Sequence, residues 1–382
     1  MSWDKVKLAD CCLSISDGDH QPPPKAVSGV PFVTIANINK SNQFDFSDTM
    51  FVPKDYYDRL DSKRKAQVGD ILYSVVGSFG IPVLIKEERP FVFQRHIAIL
   101  RPNERINSAF LYYTMLSRDF YAKADAAAIG AAQRTVSLTS LRGMEIELPP
   151  LKVQEAIASK LSVYDNLIEN NQKQIKLLEE ASQRLYKEWF VNFRFPGYED
   201  APIVDGVPEG WERLPVGELI EKIPRTTQIM ASEYGKEGPI PIIDQSREFI
   251  AGYTDNHASL VNVGKPVIVF GDHTRILKYI QFPFAKGADG TQLIVSNTDR
   301  MPQSLFYCSL VGVDLSNYHY ARHFKYLKAE ELLVPTQVIA EAFDRFVSPM
   351  FSKIQRLRDI NKAATNARDR LLPKLMSGEI EV

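Results

Sequence analysis

Cysteine is scarce in this chain, with three residues among 382, at positions 11, 12 and 308. Their spacing fits neither a disulfide framework nor a set of metal ligands, which argues against a disulfide-stapled secreted domain. No apolar run approaches the roughly 18 residues that a transmembrane helix needs. Residues 1–5 lack the apolar region of a signal peptide. We therefore expect a soluble, cytoplasmic protein that does not associate with a membrane.

The chain also lacks an excess of charge of either sign. Its 46 Lys and Arg residues face 47 Asp and Glu residues, for a formal net charge of −1. Proteins that bind DNA alone usually carry a basic excess, because neutralised phosphates supply most of their non-specific affinity. A DNA-binding role would therefore require partners that contribute cationic surface. The contents of hydrophobic residues, 45%, and charged residues, 24%, are typical of globular domains.

Motifs that carry catalysis are missing. Gly264-Lys265 is followed by Pro266, so the chain has no Gly-x-x-x-x-Gly-Lys-Ser/Thr phosphate loop. The proline pairs at 22–24 and 149–150 lack the flanking residues of an amino-methyltransferase motif, and no Gly-x-Ser-x-Gly or His-Glu-x-x-His sequence occurs. His319 and His323 could share one helical face, but without a third ligand they predict no metal site. The sequence therefore predicts no catalytic residue.

What the chain does contain is a long helical signature that occurs twice. The first copy starts at Leu148 and ends near Phe190, and the second starts at Leu333 and ends near Met376. Apolar residues recur in both at spacings of three and four, which is typical of a coiled-coil seam. The predicted seam residues are Ile157, Leu161, Ile168, Ile175, Leu178 and Leu185 in the first copy, and Phe343, Val347, Ile354 and Leu371 in the second.

Antiparallel packing of the two helices within one chain would bury both apolar stripes. The polar seam residues Asn171, Ser182, Asn361 and Arg368 would lower stability but favour one register. Homodimerisation through the same stripes is the alternative that the pattern leaves open.

The segments before each helix also resemble one another. Trp3-Asp4-Lys5 corresponds to Trp211-Glu212-Arg213 at an offset of 208 positions, and Val68-Gly69 corresponds to Val263-Gly264 at an offset of 195. The helices themselves are offset by 186 positions. Because the order is preserved while the offset falls, we interpret the chain as a duplicated unit whose second copy has lost loop residues.

These patterns divide the chain into a globular domain over 1–150, a helical region over 151–195, a second globular domain over 196–335 and a second helical region over 336–382. Short β-branched and aromatic segments, such as 31–38 and 91–100, predict strands, and 108–124 predicts a helix. Prolines and glycines between 195 and 210 predict a linker. The predicted fold class is mixed α+β, with two globular domains, two long helices in an antiparallel coiled coil, and an internal pseudo-repeat.

Polar clusters at predicted turns supply candidate DNA contacts. Arginine suits guanine, glutamine suits adenine, and hydroxyl groups and backbone amides suit phosphates. The candidates are Gln94, Arg95, Gln133 and Arg134 in the first domain, and His273, Arg275, Lys278, Arg322 and His323 in the second. The alternative interpretation is that these clusters are solvated loops and capped turns.

Several segments resemble one family over nearly the whole chain, the specificity subunits of Type I restriction–modification systems. In the first half these segments are 17–20 (Asp-Gly-Asp-His), 28–32 (Ser-Gly-Val-Pro-Phe), 69–80, 94–98 and the start of the helix at 148–154. In the second half they are 271–275 (Gly-Asp-His-Thr-Arg), 287–291 (Gly-Ala-Asp-Gly-Thr) and 372–380. One departure is that Thr336-Gln337-Val338-Ile339 opens the second helix in place of an acid–glutamine pair.

The resemblance implies two target-recognition domains, each of which binds one half of a bipartite DNA site. It implies that the two helices set the spacing and dock two modification (methyltransferase) subunits. S-adenosylmethionine would be bound by those subunits, and ATP and Mg by restriction (ATPase and nuclease) subunits. This chain would hold no cofactor and perform no chemistry. A stand-alone DNA methyltransferase or nuclease, and a coiled-coil scaffold that does not bind DNA, are the alternatives.

Overall fold

The computed structural model describes residues 3–20, 22–39, 41–131, 133–287, 289–318 and 322–382. The chain divides into two compact units. Unit 1 comprises Met1–Asn171 and Ile360–Val382, and unit 2 comprises Gln172–Asp359. Each long helix is therefore shared between the units, which are described in turn.

Over its described residues, unit 1 contains three small sheets, four short helices and a part of each long helix. Its strands are β1 (Asp4–Lys7), β2 (Cys12–Asp17), β3 (Val30–Val33), β4 (Met50–Val52), β5 (Ile71–Ser74), β6 (Pro82–Leu84), β7 (Val92–Phe93), β8 (Ile97–Pro102) and β9 (Glu145–Leu148). Its helices are α1 (Lys54–Arg59), α2 (Ser108–Leu116), α3 (Arg118–Ala127), α4 (Leu138–Gly143) and the first part of α5 (Leu151–Tyr186). The sheets have the strand orders β1-β9, β2-β8-β5-β6 and β4-β3-β7.

Unit 2 repeats most of this arrangement. Its strands are β10 (Ile203–Val204), β11 (Val207–Pro208), β12 (Glu212–Pro215), β13 (Ile240–Ile243), β14 (Gly252–Thr254), β15 (Leu260–Val261), β16 (Val267–Gly271), β17 (Leu277–Ile280), β18 (Phe284–Lys286), β19 (Thr291–Ile294) and β20 (Glu331–Val334). Its helices are α6 (Gln303–Val311), α7 (His323–Leu327) and the first part of α8 (Gln337–Met376). The sheets have the orders β10-β11, β12-β20, β14-β13-β18-β15 and β17-β16-β19.

The strand pairings confirm the predicted internal repeat. β3 pairs antiparallel with β4 and parallel with β7, and β13 pairs antiparallel with β14 and parallel with β18. A two-stranded ribbon leads into each long helix, β1 with β9 in unit 1 and β12 with β20 in unit 2. Unit 1 has the six-residue strand β2, whereas unit 2 has a single bridge between Ile220 and Ser296 at the corresponding place.

The two long helices run antiparallel within each unit, as predicted. In unit 1, Asn171 contacts Asn361 and Asp165 contacts Arg368. The residue numbers of the contacting partners therefore fall along α5 while they rise along α8. In unit 2, the rings of Trp189 and Phe343 lie 5.8 Å apart. All ten predicted seam residues are buried or half-buried in the structure. The ten predicted seam residues are thus covered within one chain.

Three local predictions differ from the structure. The helix predicted over 108–124 is two helices, because Ser117 adopts an extended conformation and its hydroxyl caps α3 at the amide of Phe120. The strand predicted over 31–38 ends at Val33 and continues as a 3-10 turn. The strand predicted over 91–100 is interrupted by a turn at 94–96.

The predicted linker, residues 195–210, is packed as part of unit 2. It contains the short hairpin formed by β10 and β11. Phe195 and Val207 belong to the same buried cluster as Trp211. Within the described ranges, none of the helices combines the length and the apolar character that a bilayer crossing needs.

Candidate nucleic-acid interface

Three loops of unit 1 meet at one edge of the sheet that contains β5. These are the β5–β6 turn, the β7–β8 turn and the segment between α3 and α4. The backbone amide of Val75 donates to the carbonyl of His96 at 2.9 Å, and the amide of Val136 donates to the carbonyl of Val75 at 2.9 Å. We call these three loops and the hydrogen bonds that join them the loop frame of unit 1. The topology therefore brings together residues that are far apart in sequence.

The loop frame carries all four predicted contact residues of unit 1. Gln94 and Arg95 lie in the β7–β8 turn, where Gln94 is half-buried and Arg95 is exposed. Gln133 and Arg134 lie in the third loop, and both are exposed. The amide of Gly77 donates to the carbonyl of Arg134 at 2.9 Å, which holds this loop against the β5–β6 turn. The four side chains therefore share one edge of the unit.

His96 is the titratable residue whose backbone carbonyl accepts the hydrogen bond from Val75 in this frame. Burial and the neighbouring Arg95 guanidinium lower its pKa. The ring is therefore neutral near pH 7 and can both donate and accept a hydrogen bond.

Gly18 and Asp19 fix the β7–β8 turn from the other side. Asp19 forms a bridge with Gln94, and its carbonyl accepts from the amide of Arg95 at 3.1 Å. The Asp19 carboxylate is buried, accepts from the Tyr56 hydroxyl and lies 3.8 Å from an Arg64 nitrogen. Neither Tyr56 nor Arg64 was predicted from the sequence, because the segment between β4 and β5 carries no signal of a contact with Asp19.

Unit 2 builds the same frame with different side chains. The amide of Asp272 donates to the carbonyl of Gly290 at 2.7 Å, and the amide of His323 donates to the carbonyl of Asp272 at 2.9 Å. Asp272 thus takes the place of Val75, Gly290 that of His96, and His323 that of Val136. This loop frame of unit 2 joins the β16–β17 turn, the β18–β19 loop and the segment that ends at α7.

Gln245 ties the loops of unit 2 together and was not predicted from the sequence. Its side-chain oxygen accepts from the amide of His273 at 3.1 Å, and its side-chain nitrogen donates to the carbonyl of Asp289 at 2.8 Å. Its backbone carbonyl accepts from the Thr274 hydroxyl at 2.6 Å. One glutamine outside both loops therefore sets their separation.

Three of the five predicted contact residues of unit 2 are exposed at this frame. His273 and Arg275 lie in the β16–β17 turn, and Arg322 precedes α7. Arg275 has a positive φ of 61°. Its guanidinium donates to the carbonyl of Leu315 at 3.1 Å. Arg275 therefore links the turn to the segment before α7 as well as facing solvent.

The structure gives Lys278 and His323 internal positions that differ from the prediction. Lys278 is 5% exposed, and its ammonium donates to the carbonyl of Asp244 at 2.7 Å and to the carbonyl of Glu248. Burial lowers its pKa to about 8. His323 is 6% exposed and begins α7. Both residues hold loops in place, and the DNA contacts proposed below exclude them.

Within the described ranges, no group of three or more His, Cys, Asp or Glu residues is placed so that it could hold a metal ion. His319, which the sequence pairs with His323, lies outside the described residues.

The chain is similar to known proteins in sequence and in fold. Residues 2–180 match the family model described as the Type I restriction modification DNA specificity domain. The chain is 24% identical to the Type I restriction enzyme MjaIX specificity subunit of Methanocaldococcus jannaschii, over 82% of this chain and 78% of that protein. It is 22% identical to the Type I restriction enzyme HindI specificity subunit of Haemophilus influenzae, over 99% of both.

The fold is also similar to a solved structure. The crystal structure of the S subunit of a Type I restriction–modification system from M. genitalium superposes with a TM-score of 0.58 at 16% identity, over 98% of this chain and 96% of that one. That similarity concerns the fold. In sequence, the chain is similar over most of its length to Type I restriction enzyme specificity subunits, and residues 2–180 match the Type I restriction modification DNA specificity domain.

Proposed function

We propose that each unit of this chain recognises one half of a bipartite DNA site within a Type I restriction–modification complex. The observation that carries the proposal is the loop frame, which is built twice with the same backbone hydrogen bonds and different side chains. Two equivalent frames with different polar groups suit two different half-sites. The proposed contacts are Gln94, Arg95, Gln133 and Arg134 in unit 1, and His273, Arg275 and Arg322 in unit 2.

The two long helices would set the distance between the half-sites and dock two modification subunits. S-adenosylmethionine would bind to those subunits, which would methylate adenine, and ATP with Mg would bind to restriction subunits. This chain would contribute recognition without catalysis, which agrees with the missing catalytic motifs. The complex would act in the cytoplasm, where the chromosomal DNA of a prokaryotic cell lies.

The nearly balanced charge of the chain supports a shared DNA channel. With 46 basic and 47 acidic residues, the chain has no net charge with which to neutralise many phosphates. Phosphate contacts supply most non-specific affinity. We therefore assign a large part of that affinity to the modification subunits and base recognition to this chain.

The test is a map of methylated adenines in cells that express this chain with its modification subunits, compared with cells that lack this chain. The expected result is methylation at one asymmetric bipartite sequence, present only with the chain. Replacing the exposed residues of the unit 2 frame should change one half of that sequence and leave the other half unchanged. An identical methylation map without the chain would contradict the proposal.

A separate measurement addresses the alternative functions. The purified chain alone, incubated with S-adenosylmethionine and duplex DNA, should transfer no methyl group, and methyl transfer would favour a stand-alone methyltransferase. The assembled complex should retain one bipartite duplex over a scrambled one. Equal retention of the two duplexes would favour a scaffold that does not recognise DNA. None of the relatives named above supports either alternative.

A further inference from the structure

Arg134 is an exposed arginine of the unit 1 loop frame whose guanidinium is paired with a carboxylate. One terminal nitrogen donates to the Asp125 carboxylate at 2.5 Å, and the other donates to the Asp125 backbone carbonyl at 2.5 Å. The guanidinium carbon also lies 5.4 Å from the centre of the Phe79 ring. The side chains of Arg134 and Asp125 are 43% and 45% exposed, so the pair faces solvent at the edge of the frame.

The ring beneath Arg134 is itself supported. Phe79 is buried in the β5–β6 turn and stacks on Tyr121 of α3, with ring centres 5.8 Å apart and planes inclined by 11°. The turn approaches α3 closely, because a Cβ placed at Gly80 would lie 2.5 Å from the Tyr121 ring. Arg134 therefore rests on a two-ring stack that joins two elements of unit 1.

We propose that Arg134 reads a guanine in the half-site of unit 1, that Asp125 is its positioning residue, and that Phe79 and Tyr121 form the platform under it. A guanidinium has five N–H donors. Two of them are used by Asp125, so three remain for the O6 and N7 acceptors of a guanine edge. The side chain is ordered before binding, which lowers the entropic cost of forming that contact.

The Asp125 carboxylate also decides between a base and a phosphate as the ligand. It neutralises most of the field of Arg134 and would repel a phosphate nearby. A phosphate is bound best by a cation whose charge is not neutralised by a neighbour. A base edge is bound best by N–H donors that are held in a fixed bidentate geometry. Arg95, on the neighbouring loop, is exposed and has no carboxylate partner among the described residues. We therefore expect Arg95 to contact a phosphate, and it serves as the comparison for Arg134.

The inference rests on the proposed function, and the experiment separates the two. The chain is assembled with its modification subunits, and affinity is measured for duplexes that carry each of the four base pairs at every position of the unit 1 half-site. Arg134→Ala should lose roughly 5- to 150-fold discrimination at one G·C pair and leave all other positions unchanged. Asp125→Asn should weaken discrimination at the same pair, and Arg134→Lys should not restore it, since lysine lacks the fork.

The salt dependence supplies the second readout. Arg134→Ala should leave the slope of affinity against salt unchanged, whereas Arg95→Ala should reduce it by about one unit. Uniform weakening by Arg134→Ala on all duplexes, with a reduced salt slope, would assign Arg134 to a phosphate and overturn the inference. Unchanged discrimination would overturn it too. If the unmodified complex prefers no duplex at all, the proposed function fails and the inference falls with it.

Discussion

The side-chain amide of Asn171 donates a hydrogen bond of 2.8 Å to the side-chain oxygen of Asn361 across the seam between α5 and α8. Asn171 is 3% exposed and Asn361 is half-buried, so the Asn171 amide is shielded from water within unit 1. An enclosed amide that loses its partner keeps the cost of desolvation without the hydrogen bond. The two asparagines therefore depend on each other and fix the alignment of this part of the helix pair.

Asn171→Leu should lower the free energy of unfolding by about 1–3 kcal/mol, because it leaves the Asn361 amide without its partner. The double variant Asn171→Leu/Asn361→Leu should recover most of that loss, since two apolar residues suit the seam. Urea unfolding of all three variants, with Asn361→Leu as the second single variant, measures the coupling. Additive losses in the double variant would show that the two asparagines act independently.

Lys278 should make stability depend on pH above neutrality. Its pKa falls from 10.5 to about 8 on burial, so between these values the unfolded chain keeps a proton that the folded chain has released. The free energy of unfolding should therefore rise with pH across this window. Lys278→Met removes that contribution, and the stability difference between wild type and variant should shift in favour of wild type from pH 8 to pH 10.

Urea unfolding at several pH values measures this difference directly. Below pH 7 the difference should be constant, because Lys278 is protonated in both states, and that range serves as the control. A difference that stays flat from pH 7 to pH 10 would contradict the burial of the ammonium.

Gly18→Ala should damage the loop frame of unit 1. A Cβ at this position would lie 2.3 Å from the carbonyl oxygen of Phe93 and 2.5 Å from that of Gln94, and backbone atoms cannot move aside as a flexible side chain can. We expect a loss of about 1–3 kcal/mol in stability, together with weaker recognition of one half-site. Gly143→Ala is the matched control, because nothing lies within 4 Å of its Cβ. Equal stability of the two variants in thermal unfolding would argue against this packing.

Arg275→Ala should abolish recognition of the unit 2 half-site and leave assembly with the modification subunits intact. The variant also loses the hydrogen bond to Leu315, and alanine keeps the backbone strain that arginine already has at this positive φ. Arg275→Asn tolerates that φ better and should lose recognition equally at a smaller cost in stability. Methylated-adenine maps and gel filtration of the complex check both points. Unchanged methylation at native sites in either variant would contradict the role of Arg275.

The helices and the repeat were predictable because their signals are local. The seam from Ile157 to Leu185 follows from spacing alone, and the apolar stripe and the packing partner are encoded in the same residues. The break at Ser117 was harder to see, since an apolar pattern continues on both sides of it. A serine that can cap the following turn is the signal that was available there.

The candidate interface was predictable as residue types but not as an arrangement. Gln94 and Gln133 lie in the same loop frame because Val75, which follows β5, is bonded to both of their loops, and this depends on pairings distant in sequence. Lys278 was predicted to contact DNA because it is polar. It is buried because it lies in β17, where its strand partner Val269 is also buried. Gln245 carried no signal, since its role depends on two loops that approach it from elsewhere in the chain.

The joints of both loop frames are made by backbone amides and carbonyls, as at Val75 and Asp272. An attachment of this kind is indifferent to the side chain that it carries. Substitution at the exposed positions can therefore proceed one residue at a time during evolution, with the scaffold intact at every step. Two copies of such a scaffold in one chain allow either half of a recognition sequence to drift while the other half stays fixed.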